Sequence, residues 1–274
     1  MKKLALTLGY LSLIIISLSM LFPFFAMLNL ALTPSNEIFN SSGVFFHTNL
    51  ALENFRHVFK ELPITRYFAN SMIVALLTTL GQVIISALAG YAFARLNFKY
   101  KNFWFFVILV TMMVPPQVNI IPLFFLMREL HLVNTFPALI LPGLFGGFGV
   151  FLMRQYFLSL PKDLEEAAKI DGCNIFQTFF KIGLPLALPA VVTLTIFTFV
   201  TTWNSFMWPL IITNSESMRT LPVGLAIFKG NFREITMWGD LLACSVICTI
   251  PVIAIFFLGK KYFLSDLLSG AIKE

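Results

Sequence analysis

The sequence predicts an all-α membrane protein of six transmembrane helices, with both termini on the cytoplasmic side and a cytoplasmic helical hairpin after the fourth span. Three observations predict it. Of 274 residues, 58% are hydrophobic and only 12% are charged, whereas a soluble domain carries about 25% charged side chains. Asp, Glu, Lys and Arg are absent from 4–36, 67–94, 102–127, 130–153, 182–215 and 241–259. Each window can supply the ~20 apolar residues that cross a ~30 Å hydrocarbon layer. Between the fourth and fifth windows, residues 154–181 hold eight charged residues, and inserting them in lipid would cost on the order of 20 kcal/mol. That segment stays in water. A soluble bundle with a large buried core would need polar surface that this chain lacks.

The spans fall at approximately 8–32, 69–94, 103–127, 136–156, 187–210 and 238–259, with a loop at 157–186, as one domain over 1–274. The first opens on Lys2 and Lys3, as a signal peptide would. Its apolar run exceeds the 7–15 residues of such a segment and no A-x-A site ends it, so it reads as a span. The loop at about 33–68 carries Pro34, a Ser/Asn/Gly cluster at 40–43, and "LENFRHVFKEL", an amphipathic surface helix. Gln82 lies near mid-depth in the second span, and "RLNFKYKN" forms a short basic hairpin after it. The third span meets "MMVPPQVNIIP" half-way: Pro115 and Pro116 remove backbone donors, and Gln117 and Asn119 add polar groups at depth. Broken backbone in hydrocarbon persists only where protein or a water-filled cavity satisfies it. "MRELHLVNTFP" then makes a short outer loop. In the fourth span "PGLFGGFG", 142–149, has no preceding strand and so is no phosphate loop. Its Gly143 and Gly147 have the small-xxx-small spacing of close helix packing. The fifth span ends in "TWNSFMWP", with Asn204 in its outer half, before a polar loop at about 212–238. Gln82, Gln117, Asn119 and Asn204 are the candidate lining of a solute path; the competing use of buried amides is helix–helix hydrogen bonding.

Orientation follows from the basic residues. With the N-terminus inside, inner segments hold twelve Lys and Arg and outer segments seven, which favours both termini in the cytoplasm. The pI near 9.3 is therefore a matter of topology, and no basic patch interleaved with aromatics suggests nucleic acid. Cys173, Cys244 and Cys248 form neither a metal pattern nor a disulfide framework. His47, His57 and His131 lie outside the spans, without H-E-x-x-H or G-x-S-x-G, so nothing points to an enzyme.

The charged segment reads as two short helices. Pro161 suits a first turn, and Asp163, Glu165 and Glu166 complement the positive end of a helix dipole. Leu160, Leu164, Ala167 and Ala168 share one face; Lys162, Glu165, Glu166 and Lys169 share another. Gly172 supplies a C-terminal stop, and Asn174 with Gln177 restarts the chain as a capping box. Phe176, Phe179, Phe180 and Gly183 make the apolar face of the second helix, and Pro185 and Pro189 redirect the chain into the fifth span. Such a hairpin can either clamp the bundle or be gripped by another protein through its small alanines and its acids.

"EAAKIDGCNIFQTFFKIGLP" resembles the EAA motif of permease subunits of binding-protein-dependent ABC importers, matching at Glu166, Ala167, Ala168, Gly172, Ile182, Leu184 and Pro185. Asp171 fits too; Cys173 stands where Ala is usual. The stretches "NSMIVALLTTLGQVIISALAGYAFAR", "MMVPPQVNIIPLF", "WNSFMWPLIITNSESMRTLPVGL" and "YFLSDLLSGAIKE" look like the maltose-type carbohydrate-uptake subunits of that family. The resemblance implies that the loop is a coupling helix docking into a cytoplasmic ATPase dimer through Glu165, Glu166, Ala167, Ala168, Asp171, Gly172, Ile182, Leu184 and Pro185. It implies further partners: a second, different permease subunit and an extracytoplasmic solute-binding protein. It also implies a multi-pass place in the bacterial inner (cytoplasmic) membrane. The chain has no G-x-x-x-x-G-K-[ST], so ATP and Mg would be handled by the partner ATPase and no cofactor by this chain. A secondary transporter would leave the EAA spacing unexplained, and the charge-free stretches of the spans hold no Asp, Glu, Lys, Arg or His to carry a coupling proton.

Overall fold

The computed structural model describes residues 2–35, 37, 38, 50–231 and 238–271. The expected Ser/Asn/Gly cluster at 40–43, His47 and Arg233, and the extreme C-terminus, lie outside them. Regular structure among the described residues is helical throughout: α1 Lys2–Leu32, α2 Glu53–Glu61, α3 Ile64–Arg95, α4 Lys101–Met113, α5 Ile120–Glu129, α6 Phe136–Ile140, α7 Gly147–Ser159, α8 Asp163–Ile170, α9 Ile175–Thr178, α10 Leu184–Leu186, α11 Leu188–Trp203, α12 Met207–Ile212, α13 Leu221–Asn231 and α14 Trp238–Ala271. Stretches of α1, α3 and α14 are long and apolar enough to cross a membrane, and three further helix pairs pass the same test if each bent pair is one span.

The bends have local causes. Lys101–Met113 and Pro116–Glu129 meet at 92° across Pro115 and Pro116, as the missing donors predict. Phe136–Gly143 meets Gly147–Ser159 at 42°, and Ile175–Leu186 meets Leu188–Trp203 at 75° beside Pro185 and Pro189. Proline alone does not break a helix here: Pro23 and Pro251 lie inside continuous α1 and α14. The side chains of α1 from Leu6 to Phe25 are exposed along all faces, with Leu11 55% and Phe25 59% exposed. Apolar surface on this scale belongs against lipid or protein.

The chain divides into two compact units, Met1–Arg66 with Gly224–Pro251, and Tyr67–Val223 with Val252–Glu274. In the first, the amphipathic stretch expected after the first span forms α2, tied down by buried Asn54. Its Nδ2 donates to Ala31 O at 2.8 Å and Thr33 O at 2.7 Å, and its Oδ1 accepts from Ser35 Oγ at 2.9 Å. His57 Nδ1 lies 2.8 Å from Asp240 Oδ2. Replacing Asn54 with Leu strips two buried carbonyls of their donor, which should cost about 1–3 kcal/mol. Thermal unfolding of the purified protein reads this out, and an unchanged midpoint would contradict it.

In the second unit α3 crosses the 143–153 segment in steps of one helical turn. A Cβ at Gly143 would meet Thr78 Cγ2 at 2.6 Å, at Gly146 the Gln82 amide at 2.2 Å, and at Gly149 the Ser86 hydroxyl at 2.4 Å. At Gly90 a Cβ would lie 2.5 Å from that of Met153. Residues 78, 82, 86 and 90 thus share one face of α3, with small residues or glycine at each crossing. A Cβ at Gly147 would instead meet α4, 3.0 Å from Ile108 O. The glycine cluster is a packing device, but the expected Gly143–Gly147 pair does not share a face: Gly143, Gly146 and Gly149 meet α3 and Gly147 meets α4. Two apolar cores flank the crossing: Tyr91, Met153, Phe157, Phe179 and Leu194 toward the C-terminal end of α3, and Val74, Met127, Leu139 and Ile212 toward its N-terminal end. Tyr91 stands edge-on to Phe157 and Phe179, with centroids at 5.2 and 5.1 Å.

Candidate functional site: a polar cavity and an exposed helical elbow

A cavity of ≈ 810 Å³ opens where the second unit's helices break. Gln82 reaches it from α3, Gln117 and Asn119 from the 3₁₀ turn after Pro115, and Gly143, Gly146 and Gly147 from the bend before α7. The bent pair Lys101–Met113 and Pro116–Glu129 lines a cavity at its prolines and amides. Asn204 is not in the wall. It caps the C-terminus of α11 and is exposed, while its neighbours Thr201, Thr202 and Ser205 face the cavity. The sequence reading also missed Thr78, Thr111 and Trp208. Hydroxyl residues are poor signals because in helices they satisfy themselves on local carbonyls, as Thr201 Oγ1 does on Phe197 O at 2.9 Å. Thr78 is an exception: its Oγ1 is buried with no hydrogen-bond partner. No lining side chain is charged; Phe145, Phe206 and Trp208 add aromatic surface. Trp208 Nε1 donates to Ala138 O at 2.9 Å.

The charged segment forms the predicted pair of short helices. α8 begins at Asp163 rather than Pro161, and carries Asp163, Glu165 and Glu166 in its first turn. Gly172, at φ 84°, ends it. Cys173 N donates to Ala168 O at 2.9 Å and Gly172 N to Lys169 O at 3.1 Å, the paired bonds of a Schellman stop. Asn174 and Gln177 make the reciprocal capping box at 2.8 and 2.9 Å.

The faces differ from those expected. Glu165 and Ala168 are the buried pair of α8, while Leu164 is 46% exposed. Glu165 Oε1 accepts from Arg95 Nε at 2.8 Å and Oε2 from the Tyr91 hydroxyl at 3.3 Å; Arg95 Nη2 also donates to Leu160 O at 2.8 Å. Glu165 therefore does not offer its carboxylate to another protein; it fastens the hairpin to the end of α3. In the second helix a π turn over Phe179–Gly183 rotates the inward face. Thr178, Phe179 and Gly183 point in, while Phe176 and Phe180 are 70% and 57% exposed. Of the remaining motif residues, Glu166, Ala167, Asp171 and Gly172 are exposed on the elbow. Ala168 is buried, Leu184 packs on the Tyr91–Phe157 core, Ile182 is half-buried and Pro185 is exposed in α10. The motif thus splits into an exposed tip and a root. Among the described residues no group of His, Cys, Asp and Glu could hold a metal.

A chargeless cavity within broken apolar helices, joined along α3 to a polar elbow, is the construction expected of a membrane transport protein. The chain belongs to the family described as binding-protein-dependent transport system inner membrane component, which it matches over residues 82–267. It is 38% identical over 258 residues to the arabinooligosaccharides transport system permease protein AraQ of Halalkalibacterium halodurans, with 91% of each chain covered. To the trehalose/maltose transport system permease protein MalG of Thermococcus litoralis it is 37% identical over 279 residues, covering 100% of this chain and 98% of the other. A chain of a bacterial ABC transporter involved in the import of the acidic polysaccharide alginate shares the fold, at TM-score 0.82 and 24% identity over 95% of this chain and 97% of that one.

Proposed function

We propose that this chain is the permease subunit of an ATP-driven importer that carries a sugar or sugar-like solute into the cytoplasm. In this reading it is one domain of six spans with both termini inside. It pairs with a second, different permease subunit, takes its solute from an extracytoplasmic binding protein, and is driven by a cytoplasmic ATPase dimer that hydrolyses MgATP. The observation that carries the proposal is the EAA spacing on an elbow whose Glu166, Ala167, Asp171 and Gly172 are exposed. Its relatives' sugar substrates support the choice of solute, and so does the cavity. Amides, hydroxyls and aromatic faces suit a neutral polyol. A glycerol-phosphate compound, the second reading, would bring a charge that no lining side chain meets.

Two rods join elbow and cavity. One runs from the Glu165–Arg95 pair along α3 to Gln82. The other runs from the α10–α11 joint along α11 to Thr201 and Thr202. Closure of the ATPase pair pushes the elbow, the rods turn as rigid bodies, and the cavity opens to each side in turn. The solute biases this only by binding the two states unequally. Glu166→Arg and Gly172→Val are expected to abolish retention of the ATPase subunits on the purified permease and to abolish uptake, with membrane insertion intact. Unaltered retention and uptake in both would refute the docking role.

A further inference from the structure

We propose that the α3–α4 corner is a binding site for the headgroup of an anionic phospholipid such as phosphatidylglycerol. A cavity of ≈ 630 Å³ lies there, walled by Phe93, Asn97, Tyr100, Lys101, Asn102 and Arg154. The wall contains two cations and no carboxylate. Lys101 Nζ donates to Leu96 O at 2.8 Å and more weakly to Ala94 O at 3.4 Å. Arg154 Nε donates to Phe93 O at 3.3 Å, with its guanidinium carbon 4.0 Å from the Phe105 ring centroid. Carbonyls and a ring orient these groups without neutralising them. Among the described residues neither forms an ion pair, and burial, followed by the positive charges of Arg154 and Lys162, pushes the Lys101 ammonium toward its neutral form. An anion between Lys101 and Arg154 would offset those charges. The same corner is where α4 starts, with no side-chain cap and no acid in its first turn, so the positive end of its dipole adds to the attraction.

The surroundings select a lipid over a free anion. Tyr100 and Trp104 are 64% and 53% exposed beside the cavity, aromatic residues of the kind that sit at the headgroup level. From there Phe103, Phe106, Val107 and Val110 continue an exposed apolar face along α4, which a lipid's chains can follow while its phosphate meets Lys101 and Arg154. Basic pockets between spans at the cytoplasmic surface are suited to acidic headgroups. Only the naming of the leaflet depends on the orientation proposed above.

The test is binding of fluorescent phosphatidylglycerol to the purified, delipidated transporter, with phosphatidylglycerol, phosphatidylcholine and inorganic phosphate as competitors. Phosphatidylglycerol should displace the probe, and the other two should fail at equal concentration. Lys101→Gln should weaken binding about five-fold and Lys101→Gln/Arg154→Gln further, as expected for each basic residue at an anionic surface. Lys101→Arg and Arg128→Gln should bind like the parent. Competition by phosphatidylcholine equal to that of phosphatidylglycerol, full competition by phosphate, or unchanged affinity in Lys101→Gln would each overturn the site. Should the double variant not fold, the competition on the parent protein decides alone. Since the readout is binding, its failure leaves the transport reading untouched, and failed transport leaves this site standing.

Discussion

Glu165→Leu is expected to destabilise the chain by about 3–5 kcal/mol, because it leaves the Arg95 guanidinium buried without its counter-charge. The pair is well enclosed: the side chains of Arg95 and Glu165 are 5% and 9% exposed and 2.8 Å apart. Arg95 Nη1 already lacks a hydrogen-bond partner, so little nearby can compensate. Arg95→Met should cost a similar amount, by stranding the carboxylate beside the Tyr91 ring. The double variant Arg95→Met/Glu165→Leu is the informative one. Replacing a buried ion pair by apolar side chains of similar volume is often neutral or better, so its unfolding midpoint should return close to that of the parent. The cycle separates the desolvation penalty from the value of the bond itself. Single variants as stable as the parent would show that the hairpin is not fastened through this pair. If the double variant is stable and assembled but hydrolyses ATP without moving solute, the pair transmits force as well as holding shape.

That pair also marks the limit of what could be read from the chain. Composition and the charge-free windows made the helical membrane fold legible, and the double proline at 115–116 announced the sharpest bend. Asn174 and Gln177 announced their capping box, and Gly172 its left-handed stop, because such motifs are closed within a few residues of sequence. Glu165 was misjudged because its partner lies 70 residues away on α3; spacing within α8 cannot reveal which acid is claimed from outside. The π turn at 179–183 shifted the inward face by a residue for a similar reason, since 3.6-residue periodicity assumes no insertion. In the cavity, amides in apolar surroundings stood out and three of four lie in the wall. Asn204 misled because it terminates a helix, and the hydroxyl lining was hidden among many Thr and Ser that bond their own backbone.

Gly90→Val should have the other large effect, and the crossing of α3 over α7 explains why. A Cβ on Gly90 would sit 2.5 Å from Met153 Cβ, 2.8 Å from Arg154 N and 3.0 Å from Met153 C. These are backbone or backbone-proximal atoms that no rotamer change can remove, so the helices must part. Overpacking of this kind costs about 1–3 kcal/mol or more, here at the crossing that carries Gln82 to the cavity and Tyr91 to Glu165. Gly146→Ala gives the contrast. Its new methyl meets only the Gln82 side chain, its amide nitrogen at 2.2 Å, and that flexible end can swing away. Assembly should survive in Gly146→Ala while uptake falls, because the displaced amide belongs to the cavity wall. Gly9→Ala, with nothing within 4 Å, is the neutral control. Thermal midpoints and uptake measured together should therefore order the three as fold-breaking, function-breaking and silent. A Gly90→Val protein that is stable and transports normally would mean that α3 and α7 do not approach this closely.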